Sequence, residues 1–283
     1  MPLEPLLTGL SFAECPRWHR GRLWFSDIFA RRVMTVDSHG QADVVVQFGE
    51  GDLPAGLGFL PDGRLLIADM ARPVLLRVEP DGSVVTHADL AGLAVGPLND
   101  MVVDPEGRAY VGASGTDEIT AARPLSGTGS IIRVDPDGSA RIVAERMDAP
   151  NGPVLSPDGT QYVVASLPAQ ELTGFDVASD GTLSGRRVWA DLSPAGPDGI
   201  TIDEQNGIWV CAPMQAEVRR VVAGGEVTAV IPTPGRMPIA PCLGGDDGRT
   251  LFVCSVTSDP STLATMTSDS VIETVRVDIP AAG

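Results

Sequence analysis

The chain has 283 residues, 43% hydrophobic and 20% charged, which supplies a packed core and excludes a disordered chain. Acids outnumber bases 37 to 20, for a formal net charge of −17, and that field disfavours nucleic acid or an anionic membrane as a partner. All 20 basic residues are arginine, so Schiff-base chemistry, pyridoxal phosphate anchoring and the Walker phosphate loop, each of which needs a lysine amine, are excluded.

The first predicted element is a strand over Leu3–Leu10. After it a short pattern recurs, a tight turn followed by a strand rich in β-branched and aromatic residues. It reads HRGRLWFSD at 19–27, PDGRLLIAD at 61–69, PEGRAYVGA at 105–113, PDGTQYVVAS at 157–166, EQNGIWVCA at 204–212 and DDGRTLFVCS at 246–255. The turn glycines are Gly21, Gly63, Gly107, Gly159, Gly207 and Gly248, spaced by 42, 44, 52, 48 and 41 residues. Six units average roughly 47 residues, the size of a four-stranded propeller blade.

Second turns follow most of these strands, at Asp37-Ser38-His39-Gly40, Pro80-Asp81-Gly82, Pro136-Asp137-Gly138, Ser179-Asp180-Gly181 and Ala223-Gly224-Gly225. Each unit therefore reads strand A, turn, strand B, loop, strand C, turn, strand D, and helical periodicity is absent. The last unit stops after a strand C at Val271–Asp278, which leaves Leu3–Leu10 to supply its strand D and close the ring. The expected fold is all-β: a six-bladed β-propeller spanning residues 1–283 as one domain.

Strand A of each blade lines the channel, so residues at one phase of strand A meet around the axis. Counting back seven to nine residues from the turn glycines finds Glu14, Asn99, Asn151 and Asp198, with Ala55 and Ala240 in the other two blades. Four oxygen donors, two of them anionic, converge there with no arginine at the same phase. Buried carboxylates facing one another need a positive partner, and all-oxygen ligation favours calcium, magnesium or manganese over zinc. The three histidines, His19, His39 and His87, lie off this phase, the first two read as turn residues and the third in an outer strand D. A histidine-held zinc or a Ser-His-Asp triad at the axis is therefore not expected. The four cysteines, Cys15, Cys211, Cys242 and Cys254, have no C-x-x-C spacing and read as reduced and structural. No basic leader and no run of about 18 apolar residues is present, so the expected location is the cytoplasm.

These residues resemble the SMP-30/gluconolactonase/luciferin-regenerating enzyme family over essentially the whole chain. The resemblance is densest at Glu14-Cys15-Pro16-Arg17-Trp18, Gly21-Arg22-Leu23-Trp24-Phe25-Ser26-Asp27, Leu98-Asn99-Asp100, Pro150-Asn151-Gly152 and Pro197-Asp198-Gly199. It implies a six-bladed propeller holding one divalent metal in its channel, with Glu14, Asn151 and Asp198 as ligands and Asn99 beside the metal, touching it or the substrate. Calcium is the first expectation, with zinc, magnesium, manganese and ferrous iron as alternatives. The implied activity is a gluconolactonase-like hydrolysis of a small lactone or ester, the cation polarising the carbonyl and activating water. Asp198 is the candidate base, Asp100 the runner-up, and Asn99 a further catalytic contact. Arg17, Glu118 and Arg236 are candidate substrate contacts, with Glu118 in a loop over Ser114–Ser130 that reads as a lid together with Val256–Asp269. Sugar-lactonase members carry an arginine two residues before the asparagine matching Asn99; here that residue is Pro97. Other readings are a phosphotriester hydrolysis or a lyase or isomerase step on the same metal, or a calcium-stabilised propeller that binds a partner without catalysis. The expected partner is a small-molecule substrate; oligomeric state is unread.

Overall fold

The computed structural model describes residues 2–115, 127–257 and 265–282. After β1 (Glu4–Leu10), the first blade is β2 (Ala13–His19), β3 (Arg22–Asp27), β4 (Arg32–Val36) and β5 (Ala42–Gln47). The second is β6 (Pro54–Phe59), β7 (Leu65–Asp69), β8 (Val74–Val78) and β9 (Val84–Asp89). The third is β10 (Leu98–Val103), β11 (Ala109–Ala113), β12 (Gly129–Val134) and β13 (Ala140–Met147). The fourth is β14 (Pro150–Leu155), β15 (Gln161–Ser166), β16 (Glu171–Val177) and β17 (Leu183–Asp191). The fifth is β18 (Ile200–Ile202), β19 (Ile208–Ala212), β20 (Glu217–Val221) and β21 (Val227–Pro232). The sixth is β22 (Arg236–Gly244), β23 (Thr250–Thr257) and β24 (Ser270–Arg276), completed by β1, which pairs antiparallel with β24.

The molecule is thus a ring of six four-stranded antiparallel blades, an all-β six-bladed propeller closed by its N-terminal strand as the repeat predicts. The last strand C runs over Ser270–Arg276, ending two residues before the expected Asp278. The one helical segment among the described residues is a single 3-10 turn, Pro213–Gln215, and none of their helices is long and apolar enough to cross a membrane.

Local chemistry explains the turns. In the repeated Asp-Gly turns the aspartate carboxylate accepts the backbone N–H two residues on, as from Asp62 to Arg64 at 3.0 Å and from Asp158 to Thr160 at 3.0 Å. The glycine that follows sits in the left-handed region, φ +88° at Gly63 and +69° at Gly159, where a side chain would add strain. Packing is then blade on blade. Each of the six interfaces between neighbouring blades holds its own apolar cluster, such as Leu66, Leu75, Leu98 and Val111 between the second and third, or Leu23, Phe25, Phe252 and Ile272 across the closing joint.

Strand A is the inner edge of every sheet, so proline is tolerated there without costing a ladder hydrogen bond: Pro16, Pro54, Pro150, Pro153, Pro238 and Pro241 all lie on inner strands. The ladder also slips on these strands. Register breaks fall between Glu14 and Arg17, Pro54 and Leu57, Leu98 and Met101, and Pro150 and Pro153. A bulge releases the local pairing and re-aims a side chain, and these breaks fall at the axial residues.

Candidate active site

Glu14, Asn99 and Asn151 lie at the starts of β2, β10 and β14, and Asp198 lies two residues ahead of β18. The backbone at this height is drawn tight. A Cβ on Gly56 would meet the Asn99 carbonyl oxygen at 2.5 Å, one on Gly152 the Ile200 nitrogen at 2.8 Å, and one on Gly199 the Ala240 Cα at 2.6 Å. The glycine after Ala55, Asn151 and Asp198 is therefore what allows neighbouring inner strands to touch backbone to backbone. Asp198 is further held by its own N–H, which donates to the Cys211 carbonyl at 3.0 Å, while Gly199 N–H donates to the Ile239 carbonyl at 2.8 Å.

Glu14 is 8% exposed, and Asn99, Asn151 and Asp198 are half-buried. Glu14 Oε2 accepts the Cys15 N–H at 2.6 Å and Asn151 Oδ1 the Gly152 N–H at 2.7 Å. Burial pushes the Glu14 carboxyl well above the usual carboxylate range, and the charges of Asp198 and Asp100 push it further. Burial likewise raises Asp198 to about 7, with a hydrogen bond from Asn151 acting against it and the charge of Asp100 adding to it. The ring therefore does bring Glu14, Asn151 and Asp198 into mutual range, and adds a third acid, Asp100.

Asp100 is the member that finds its own cation. The Arg17 guanidinium reaches from β2 past the second blade to β10, donating to Asp100 Oδ1 at 2.6 Å, to the Met101 carbonyl at 2.5 Å and to its neighbour Pro16 at 2.8 Å. The expectation that no arginine shares the axial phase holds for the count along the strand, but a long side chain three residues below Glu14 still enters the cluster. Arg17 is thus an ion-pair partner of Asp100. The missed signal was the bulge between Glu14 and Arg17, which changes where the strand aims.

Arg236 opens β22 and is held by Ser255 and Asp269: its Nε donates to Ser255 Oγ at 3.0 Å and its Nη2 to the Asp269 carbonyl at 2.8 Å. Glu118 and most of its loop lie outside the described residues, as does part of the segment over Val256–Asp269. His19 is a correction. It is the last residue of β2 rather than a turn residue, and it stacks on Phe59 with ring centroids 3.8 Å apart. His87 does lie in an outer strand, beside Arg77. All four cysteines are free and buried. Among the described residues no three or more histidine, cysteine, aspartate or glutamate side chains group as a metal cluster; half of the axial donor set is carboxamide.

Comparison with known proteins gives this geometry a family. A 6-deoxy-6-sulfogluconolactonase from Pseudomonas putida is 27% identical, covering 94% of this chain and 91% of that protein. The pentonolactonase XacC from Haloferax volcanii is 27% identical, covering 98% of this chain and 94% of that protein. Among solved structures, the calcium-binding protein regucalcin from Agrobacterium tumefaciens str. C58 matches the fold with a TM-score of 0.75 at 22% identity, over 97% of this chain and 94% of that one. The family model described as the SMP-30/Gluconolactonase/LRE-like region matches residues 12–257, from the start of the first blade to the end of β23, and the chain belongs to that family.

Proposed function

We propose that the protein is a divalent-metal-dependent hydrolase that opens a small lactone to its hydroxy acid, with Glu14, Asn151 and Asp198 holding the cation and Asn99 beside it. The observation that carries this reading is that two acids, Glu14 and Asp198, are drawn together at the axis with no arginine assigned to either, Arg17 being engaged by Asp100. That donor set fits a hard cation: it is all oxygen, its two unmatched carboxylates balance two positive charges, and their mutual repulsion is what such an ion relieves. Calcium is the first candidate by the likeness to regucalcin, with magnesium, manganese, zinc and ferrous iron open. The names of the relatives support the reaction class.

When bound, the cation supplies Lewis-acid polarisation of the carbonyl and stabilises negative charge on its oxygen. Asp198 takes a proton from the attacking water as the new carbon–oxygen bond forms. It returns that proton to the ring oxygen as the ester bond breaks, so the product is a free hydroxyl and a carboxylic acid. Asn99 orients the substrate through its carboxamide. Asp100 is tied down instead, its Oδ1 accepting from Arg17 and from the Met101 N–H, and the pair positions β10. Free buried cysteines suit a reducing compartment, so the cytoplasm is the proposed location.

The test is a pH-indicator assay on a panel of lactones, simple esters and one phosphotriester, with chelator-stripped protein and each divalent metal added back. Lactone hydrolysis that is lost on chelation and returns with one metal supports the reading. Turnover that persists without metal, or none on any lactone with metal present, overturns it.

A further inference from the structure

The six residues that stand two positions ahead of the axial ring are Phe12, Leu53, Pro97, Ala149, Gly196 and Pro238. Five of them stand just ahead of an inner strand and Pro238 lies within β22, so they form the tier by which the chain enters the axial ring, and none of them carries a hydrogen-bonding side chain. The tier is also lopsided. On the side of the second blade, Leu53 and axial Ala55 pack in one apolar cluster with Ile28, Phe12, Phe29 and Met70. On the side of the sixth, Met237, Ile239 and Val256 pack together and again meet Phe12. Phe12 joins the two clusters and lies 4.7 Å from Phe29, ring centroid to ring centroid. Phe12, Phe29 and Met70 stay half-buried, leaving apolar surface on the cluster that holds axial Ala55.

The axial ring divides the same way. Asn99, Asn151 and Asp198 come from the third, fourth and fifth blades, whereas the second and sixth present Ala55 and Ala240. Among the described residues, Arg17 is paired with Asp100, and Arg236 with Ser255 and Asp269, so both already have partners within the chain.

We infer that the substrate is an uncharged lactone carrying an apolar substituent, an alkyl chain or aromatic ring, seated over Ala55 against Phe12, Leu53 and Met70 while the lactone carbonyl faces Asn99, Asn151 and Asp198. This rests on the lactonase reading and names its substrate class. A polyhydroxylated sugar lactone would trade its hydration for a tier that, among the described residues, offers no side-chain hydrogen-bond partner. A buried alkyl chain gains affinity with each methylene.

The test compares kcat/KM for γ-lactones of increasing chain length, from γ-valerolactone to γ-decalactone, with that for glucono-δ-lactone, using metal-loaded full-length protein. The expected result is a rise of about fourfold per added methylene while the chain is being buried. The Phe12→Ser and Met70→Gln variants should each show a shallower dependence on chain length. A flat dependence in the wild type, or glucono-δ-lactone as the better substrate, overturns the inference and leaves the lactonase reading intact. If no lactone is turned over, calorimetry with 5-hexyl-2-pyrrolidinone against glucono-δ-lactam decides separately. Tighter binding of the alkyl lactam keeps the apolar site while the lactonase reading fails; no preference overturns the site too.

Discussion

Two sets of buried carboxylates in this ring have the same chemistry and opposite electrostatics. Asp203, 0% exposed, accepts the Gln205 and Gly207 N–H groups at 3.0 and 2.9 Å and pairs with Arg220 Nε at 2.7 Å. Asp27 is satisfied in the same way by the Ser11 and Phe12 N–H groups and by Arg32 at 2.7 Å. Glu14 and Asp198 have backbone or carboxamide donors but no arginine, and each suffers the field of Asp100. The first set closes turns and blade ends and is complete within the chain. The second has no arginine partner among the described residues and is pushed toward its protonated form, an arrangement that costs the fold stability on its own. Burial of an acid is thus no mark of function by itself; what separates the two sets is whether the chain supplies a counter-charge.

The contrast can be broken most severely at Asp198. Asp198→Ala is expected to lower lactone turnover on the order of a thousandfold, since it removes a ligand and the base together. In the presence of chelator the same variant should be at least as stable to denaturant as the wild type, because a repelled charge has gone. Arg220→Met should do the reverse, costing about 3–5 kcal/mol in urea unfolding by stranding Asp203 while leaving metal affinity, read by calorimetry, unchanged.

A pH series sharpens the same comparison. Asp198 in the fold is raised to about 7 against roughly 3.9 for an unfolded aspartate. The folded state therefore holds the extra proton between those values, and stability falls as pH rises across that window. Chelated protein should show Tm declining from about pH 4 to about pH 7, and Asp198→Asn should flatten that decline. The smallest effect is expected at the surface, where Arg22 and Asp43 pair at 2.7 Å with Asp43 74% exposed. Asp43→Ala should change unfolding free energy by less than about 1 kcal/mol.

Much of this was legible in the residues because it is local. An aspartate that bonds the N–H two residues on, followed by a glycine at positive φ, marks a turn without help from the rest of the chain. Three of the six repeat turns have this form, at Asp62-Gly63, Asp158-Gly159 and Asp247-Gly248; six turn glycines at near-even spacing imply blades, and the unpaired strand C at the end implies that Leu3–Leu10 closes the ring. Counting from the turn glycines also picked out Glu14, Asn99, Asn151 and Asp198, because the span from the axial position to the turn glycine stays at seven to nine residues. It did not reveal that His19 ends β2 and stacks on Phe59 of the next blade, a contact between strands far apart in sequence.

The sequence by itself determined the repeat, the order of strands and the phase at which the polar residues fall, since turns and alternation depend on neighbours a few residues apart. Tertiary structure alone decided which charges meet. Ring closure and the bulges on the inner strands send Arg17 past one blade to Asp100, leave Glu14 and Asp198 without an arginine partner among the described residues, and pack Phe12 with Leu53 on one side and Met237 on the other. Those outcomes depend on distances between chain segments that no local pattern encodes.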